Sequence, residues 1–258
     1  YGVVGYKTHA KMLLVTRRES RKLRHYVHLG TGNYHARTAR LYTDYGLLTC
    51  DEALGRDAAR VFQLLTSLGQ VKALSKMLQS PFTLHKKVIE KIKREAANAR
   101  AGKAARIIVK CNALIEPETI EALYQASQDG VRIDCIIRGV CCLRPGVPGV
   151  SDNIHVRSIV GRFLEHTRVF YFHNEGDFDL YLSSADWMGR NFFQRVETAF
   201  PVADRKIRQR ILKDGLELYL ADNIDAWVLQ KDGEYKRRVP VGKQRPHSAQ
   251  SSLMSRKP

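Results

Sequence analysis

Apolar residues that switch between the two-residue rhythm of strands and the 3.6-residue rhythm of helices predict an α/β fold. The expected architecture is two units, each a mixed sheet flanked by helices, with the first unit lacking its N-terminal part. Three observations lead there. Arg106 to Ile137 reads strand, helix, strand, the alternation that lays helices over a sheet. A short motif of histidine, spacer and basic residue opening an apolar run occurs twice, and self-similarity of that kind accompanies repeated architecture. The chain has 258 residues with 44% hydrophobic composition, enough for one large core or two modest ones.

In chain order, strands are expected at Val3 to Tyr6 and His9 to Val15, followed by a charged hairpin from Arg17 to Arg24 and a return through Tyr26 to Leu29. Thr49-x-x-Glu52 reads as a capping box for a helix with Leu54, Ala58, Val61, Phe62 and Leu65 on its apolar face, ending at Gly69. After a turn at Ser80-Pro81, a basic helix places Val88, Ile89, Ile92 and Ala96 at helical spacing. The boundary between units falls near residue 77, giving a first unit over 1–77 and a second over 78–230.

The second unit runs from a strand at Arg106 to Cys111, through a helix at Pro117 to Gln128, to a strand at Val131 to Ile137. Arg138 then stands at the C-terminal end of a strand, where open α/β sheets bind ligands, and Gly139 permits close approach. A late helix from Asp204 to about Leu220 is expected to turn Ile207, Ile211 and Leu218 inward. The basic stretch 231–258, poor in apolar residues, is expected to be a mostly disordered tail.

Forty-three Lys and Arg against 26 Asp and Glu give a formal net charge of +17 and a pI near 9.8. Such a field draws in polyanions without choosing among them. No run approaches the roughly 18 apolar residues that a membrane helix needs. The start lacks both the apolar core of a secretion signal and an initiating Met, so the chain reads as a fragment of a longer protein. Cys50, Cys111, Cys135, Cys141 and Cys142 form no CxxC pair and are odd in number, which points to reduced thiols and a cytoplasmic setting, with a peripheral place at the inner membrane left open. His25, His28, His35, His155 and His173 lack the thiolate or carboxylate pattern of a zinc site. Gly30-Thr31-Gly32-Asn33 lacks the third glycine of a dinucleotide fingerprint.

The repeated motif carries the chemistry. Its first copy is His9-Ala10-Lys11 leading Met12 to Val15, followed by Leu29-Gly30-Thr31-Gly32-Asn33-Tyr34; its second is His166-Thr167-Arg168 leading Val169 to Phe172, followed by Leu182-Ser183-Ser184-Ala185-Asp186-Trp187. Strand alternation would point His9 and Lys11 to one face, and His166 and Arg168 likewise. An imidazole beside a fixed cation suits attack on phosphorus: the ring nitrogen is nucleophile or proton carrier, and Lys11 or Arg168 compensates charge on the phosphoryl oxygens. The downstream small-polar loops are expected to turn amides and short side chains toward the same oxygens.

This arrangement resembles the phospholipase D superfamily, whose pattern is His-x-Lys, a later Asp, and a Gly-Ser-x-Asn-like loop. No Asp lies between Lys11 and Gly30, and the second copy has Arg168 in the Lys place and Asp186 in the Asn place, with Asp177 and Asp179 between. Longer strings resemble the C-terminal half of bacterial polyphosphate kinases over nearly the whole chain: Thr8-His9-Ala10-Lys11, His28 to Asn33, Thr38 to Tyr45, Ile137-Arg138-Gly139, Ser151 to Ile154 and Ser183 to Met188. That resemblance implies two phospholipase D-like units and reversible transfer of the ATP terminal phosphoryl group to polyphosphate through a phosphohistidine. It implies His9 as the phosphorylated residue, His166 as a second catalytic histidine, and Tyr42, Arg138 and His166 as nucleotide contacts. It further implies Mg2+ accompanying ATP, with no metal-binding residue identified in this chain, and a homo-oligomer at full length. No specific nucleic acid partner is expected. A phosphodiesterase using His9 and His166, and a noncatalytic polyanion-binding module, are the alternatives.

Overall fold

The computed structural model describes residues 2–66 and 74–256. Its elements run β1 (Lys7–Thr8), β2 (Lys11–Glu19), β3 (Lys22–Gly30), α1 (Ala36–Ala39), β4 (Tyr42–Thr43), β5 (Gly46–Thr49), α2 (Glu52–Leu65), β6 (Leu78–Ser80), α3 (Leu84–Arg100), β7 (Arg106–Cys111), α4 (Pro117–Gln128), β8 (Arg132–Ile137) and β9 (Ile154–Ile159). There follow β10 (Leu164–Glu165), β11 (Val169–Phe172), β12 (Asp179–Ser183), α5 (Gly189–Phe193), β13 (Arg195–Pro201), α6 (Arg205–Ile211), α7 (Leu218–Ala221), β14 (Ala226–Leu229), β15 (Tyr235–Arg237) and α8 (Ala249–Met254).

Among the described residues, ten strands form one sheet in the order β1-β13-β12-β11-β7-β8-β9-β14-β15, with β6 also paired to β13. The sheet is mixed, as expected: β7, β8 and β9 are parallel, whereas β11 runs antiparallel to both β7 and β12. β2, β3 and β5 make a separate antiparallel sheet, and β4 pairs in parallel with β10. The central strands read as near-continuous apolar runs because both faces are covered. Ile107, Val109, Ile133, Cys135 and Phe170 pack with Val88 and Ile92 of α3 and Leu123 of α4 on one side. On the other, Ile108, Ile136, Val169 and Tyr171 meet Leu216 and Tyr219 together with Val27 and Leu29 of β3.

Several expectations hold in place. The charged hairpin turns at Ser20 with a φ of 54°, β7 and α4 span the expected residues, and α3 buries Val88, Ile89, Ile92 and Ala96. At Gly139 it is the chain's own backbone that comes close, since a Cβ there would lie 3.1 Å from the Asn112 carbonyl oxygen.

Others are corrected. Residues 3–6 form no strand: the Tyr6 amide bonds back to the Val3 carbonyl across Gly5, whose φ is +83°. Strand β2 begins at Lys11, not His9, because the His9 and Ala10 amides both bind the Val196 carbonyl of β13. Helix α2 is capped by Asp51, which accepts from the Leu54 amide at 2.9 Å, while Thr49 accepts from the Asp51 amide; the expected capping box is therefore displaced. The helix ends at Leu65, and Gly69 lies outside the described residues.

In the late helical segment, a π-helical turn over Leu212–Glu217 joins α6 to α7. Ile207, in the first turn of α6, is exposed while Ile211 is buried. Beyond the π-helical turn, which breaks the 3.6-residue register, Leu216 and Tyr219 are buried and Leu218 only partly so. The stretch 231–258 is ordered over much of its length rather than disordered. β15 extends the main sheet through β14, and α8 docks with Ala249 and Gln250 buried. The composition of this stretch hid the anchoring, which is polar: Asp222 accepts from the Ala249 amide and Asp225 from the Ser248 hydroxyl.

Candidate phosphoryl-transfer site

His9 lies just ahead of β2, on the connection from β1, and is held against β13 by its backbone. Its Nδ1 is 2.9 Å from the Glu197 carboxylate of β13, and its Nε2 is 2.9 Å from Lys11 Nζ. A carboxylate at Nδ1 and an ammonium at Nε2 select the tautomer with the proton on Nδ1 and the lone pair on Nε2. Glu197 is fully buried, and it accepts from Ser184 Oγ at 2.5 Å and Asn191 Nδ2 at 2.6 Å. Its orientation is therefore fixed before any ligand arrives.

The second histidine repeats the scheme. His166 sits between β10 and β11; its Nδ1 is 2.8 Å from Asp44 Oδ1, and an Arg168 guanidinium nitrogen lies 3.1 Å from its Nε2. Thr31 Oγ1 donates to Asp44 at 2.9 Å, matching the Ser184 bond to Glu197. Each histidine thus takes its carboxylate from the other unit. His9 uses Glu197 and His166 uses Asp44, so the two motifs form one interlocked centre.

Neither motif is a strand face, since both histidines precede their strands; the basic partners still meet the imidazoles directly. A further link runs between the halves through β3. Lys11 pairs with Gly30 across the β2–β3 ladder, and the neighbouring Thr31 carbonyl accepts from Arg168 at 3.2 Å. Lys11 also lies in the field of Arg168 and Asp44.

The small-polar loops do not present their side chains to a free anion pocket as expected. Thr31 and Ser184 support the two carboxylates, and Asp186 clamps Arg168 with contacts of 3.1 and 3.2 Å. Asp186 also accepts from the Asn112 amide at 2.8 Å. The second copy's two departures, Arg for Lys and Asp for Asn, are thereby one event: the bidentate pair needs both. Gly32 leaves room for Asp44, because a Cβ there would fall 2.0 Å from the carboxylate.

Tyr42 and Arg138 join the His166 side. The Tyr42 ring lies 5.0 Å from the His166 ring, and Arg138 donates to the Glu165 carbonyl at 3.1 Å. All the residues singled out from the sequence therefore gather here: His9, Lys11, Tyr42, Arg138, His166 and Arg168. Missing from the sequence reading were the roles of Asp44 and Glu197. Glu197 had a signal, an acidic residue inside the apolar run Val196 to Phe200, which a buried strand tolerates only with partners.

Burial sets the electrostatics. It lowers the Lys11 ammonium from its ordinary 10.5 to about 8; Glu197 opposes that shift and Arg168 adds to it. Burial likewise holds the His166 imidazole below its ordinary value, against the hydrogen bond to Asp44. For Asp186, burial alone would raise the carboxyl, but the charge and hydrogen bonds of Arg168 and the Asn112 contacts bring it below the ordinary range. Among the described residues no group of three or more His, Cys, Asp or Glu stands placed to hold a metal ion.

Sequence profiles match nearly end to end. Residues 1–71 match "Polyphosphate kinase C-terminal domain 1", and residues 77–250 match "Polyphosphate kinase C-terminal domain 2". The chain belongs to the polyphosphate kinase family. A polyphosphate kinase of Pseudomonas aeruginosa is 59% identical over 256 residues, covering 99% of this chain and 37% of that protein. One from Burkholderia ambifaria is 60% identical over 242 residues, covering 92% of this chain and 35% of its own length. The crystal structure of polyphosphate kinase from Porphyromonas gingivalis superposes with a TM-score of 0.91 at 35% identity, over 97% of this chain and 38% of that one. The chain thus spans little more than a third of the relatives it matches. Among the described residues no helix is long and apolar enough to cross a membrane.

Proposed function

We propose that this chain carries the phosphoryl-transfer centre of an ATP–polyphosphate phosphotransferase, with His9 as the residue transiently phosphorylated. The single observation behind this reading is the His9 ring, fixed at Nδ1 by a buried carboxylate and facing a cation with its Nε2 lone pair. In the forward direction, Nε2 attacks the terminal phosphorus of ATP, the bond to the β-phosphate oxygen breaks, and ADP leaves. The Nδ1 proton stays on the Glu197 hydrogen bond, which stabilises the positive charge that the ring gains. A terminal oxygen of polyphosphate then attacks the phosphorus, the N–P bond breaks, and the neutral imidazole returns.

Lys11 contributes by exchanging its contact with Nε2 for one with the phosphoryl oxygens. Such charge compensation dominates phosphoryl transfer. Arg168 is oriented by Asp186, and Arg138 stands beside it, so the second half-site adds two further cations toward the same anion. His166, with Asp44 on Nδ1, holds a phosphate oxygen or carries a proton, while Tyr42 offers its ring to the nucleotide. Mg2+ would arrive with ATP, held by the nucleotide phosphates. Asp44 and Glu197 are committed to histidines and Asp186 to Arg168, which leaves none of these three free as a metal ligand. A homo-oligomer at natural length and a cytoplasmic location belong to the same proposal.

The test is phosphoryl labelling. Protein of natural length incubated with γ-labelled ATP should acquire an acid-labile, base-stable label that chases into long polyphosphate, and His9→Ala should abolish it. Cleavage of a phosphodiester without ATP dependence, with no phosphoenzyme formed, would overturn the proposal in favour of a phosphodiesterase.

A further inference from the structure

We infer that Gln250, in the C-terminal helix α8, is a positioning residue for the His166 half of the site. It is 3% exposed and makes three hydrogen bonds to the segment preceding His166. Its Oε1 accepts from the Phe163 amide at 2.9 Å, and its Nε2 donates to the Phe163 carbonyl at 2.9 Å and to Glu165 Oε1 at 2.6 Å. Gly161 makes this approach possible, since a Cβ there would lie 2.6 Å from Gln250 Oε1.

Glu165 passes the constraint on. Its buried carboxylate also receives Lys110 Nζ at 2.8 Å and Thr43 Oγ1 at 3.0 Å. With Gln250, three donors converge on this one carboxylate and fix its orientation. Thr43 in turn accepts from the His166 amide at 3.2 Å, and it is flanked in sequence by Tyr42 and Asp44, which both contact the His166 ring. The Glu165 carbonyl receives Arg138. One glutamine therefore braces, through one glutamate, the backbone of His166, the strand carrying Tyr42 and Asp44, and the guanidinium of Arg138. Helix α8 also forms a wall of a cavity of about 630 Å3, bounded elsewhere by Tyr42, Thr43, Asp44 and Thr167. The Glu197–His9 half is reached only at further remove, from Asp44 through Thr31 to Lys11.

The inference as to site geometry stands apart from the phosphoryl-transfer reading; its kinetic consequence rests on it. Gln250→Glu keeps the side-chain shape but sets a carboxylate against Glu165 and the Phe163 carbonyl. Gly161→Ala displaces Gln250 without altering its chemistry. Asp51→Ala removes the cap of helix α2, in another part of the fold from α8, and serves as the structural control. Imidazole 15N spectra of the chain, recorded well below every melting temperature, should show the His166 nitrogens shifted in Gln250→Glu and Gly161→Ala. The His9 nitrogens should shift much less, and Asp51→Ala should only melt earlier.

If Gln250→Glu does not fold, Gly161→Ala still decides. Unchanged His166 signals, or a change of equal size in Asp51→Ala, would overturn the inference. In the natural-length protein, the same two substitutions should raise the KM for ATP about ten-fold, the scale seen for supporting residues of this kind, while the phosphoenzyme still forms. A wild-type protein without any phosphoenzyme would refute the proposed function and leave the spectroscopic result standing.

Discussion

Raising the pH should switch off substrate capture through Lys11 before it affects any other cation of the site. Burial brings its ammonium from 10.5 to about 8. That gap corresponds to roughly 3 kcal/mol in favour of the neutral amine. The charged fraction at Lys11 then falls from about nine-tenths at pH 7 to about one-tenth at pH 9, so kcat/KM, which reports the free enzyme, should drop about ten-fold across that range. Once ATP is bound the balance reverses. A phosphoryl charge about 3 Å away contributes about 5 kcal/mol at an effective dielectric of about 20, more than burial removes. Lys11 is then charged again, and kcat should stay level to well above pH 9. Initial rates of ATP-dependent polyphosphate synthesis at pH 6–10, with wild type beside Lys11→Arg, provide the assay. The arginine variant keeps its charge throughout and should lose the alkaline limb, whatever its absolute rate. A wild-type kcat/KM that is flat to pH 10, or a limb that persists in Lys11→Arg, would refute the reasoning.

Glu197→Gln should slow phosphoenzyme formation by about two to four orders of magnitude, because the amide can no longer hold the Nδ1 proton in place; rapid-quench labelling measures it. Arg168→Met leaves the buried Asp186 carboxylate without its counter-charge, only the Asn112 contacts remaining, and should cost about 3–5 kcal/mol in urea unfolding. Arg168→Lys combined with Asp186→Asn, which restores the pattern of the first repeat, should be more stable than the two single changes predict, a coupling of about 1 kcal/mol or more in a double-mutant cycle. Gly32→Ala drives a Cβ into the Asp44 carboxylate and should perturb the His166 imidazole resonances while sparing those of His9. The lowered His166 value also has a stability consequence. In the window below its unfolded value of about 6.5 the unfolded chain binds more protons there. That contribution is complete above this pH and is lost as pH falls through the lower folded value. His166→Asn should therefore flatten the acid side of a melting-temperature profile.

Much of this centre was legible because chemistry and periodicity were local. His9 with Lys11, His166 with Arg168, and the strand-end position of Arg138 are all written in short strings, and the apolar runs around Ile107 and Ile133 mark strands covered on both faces. What escaped was set by distance along the chain. Asp44 and Glu197 act on histidines far away in sequence, and nothing local distinguishes Glu197 from any other strand glutamate except the apolar company it keeps. The loops were misread for a related reason: Thr31 and Ser184 are the right residues for cradling phosphate, but carboxylates reach them first. The C-terminal stretch shows the limit of composition. Its hold on the body is made largely by Gln250, Ser248 and backbone amides, with Ala249 and Leu253 as a small apolar contact, so an average over 231–258 sees mostly charge and proline. The π-helical turn at Leu212–Glu217 defeated periodicity in the same way, since one extra residue per turn rotates every later side chain.

The exchange of carboxylates between the two repeats binds their histories together. A copy inherited alone would own a histidine and no acceptor for its ring proton, while donating an acid to nothing. Drift at Asp44 is felt by selection at His166, and drift at Glu197 at His9, so neither repeat is free to diverge toward a separate role while the other keeps the chemistry. Chimeras between relatives, joined between residues 71 and 77, inherit one member of each pair from each parent. They work only where both parents keep the same crossed partnership.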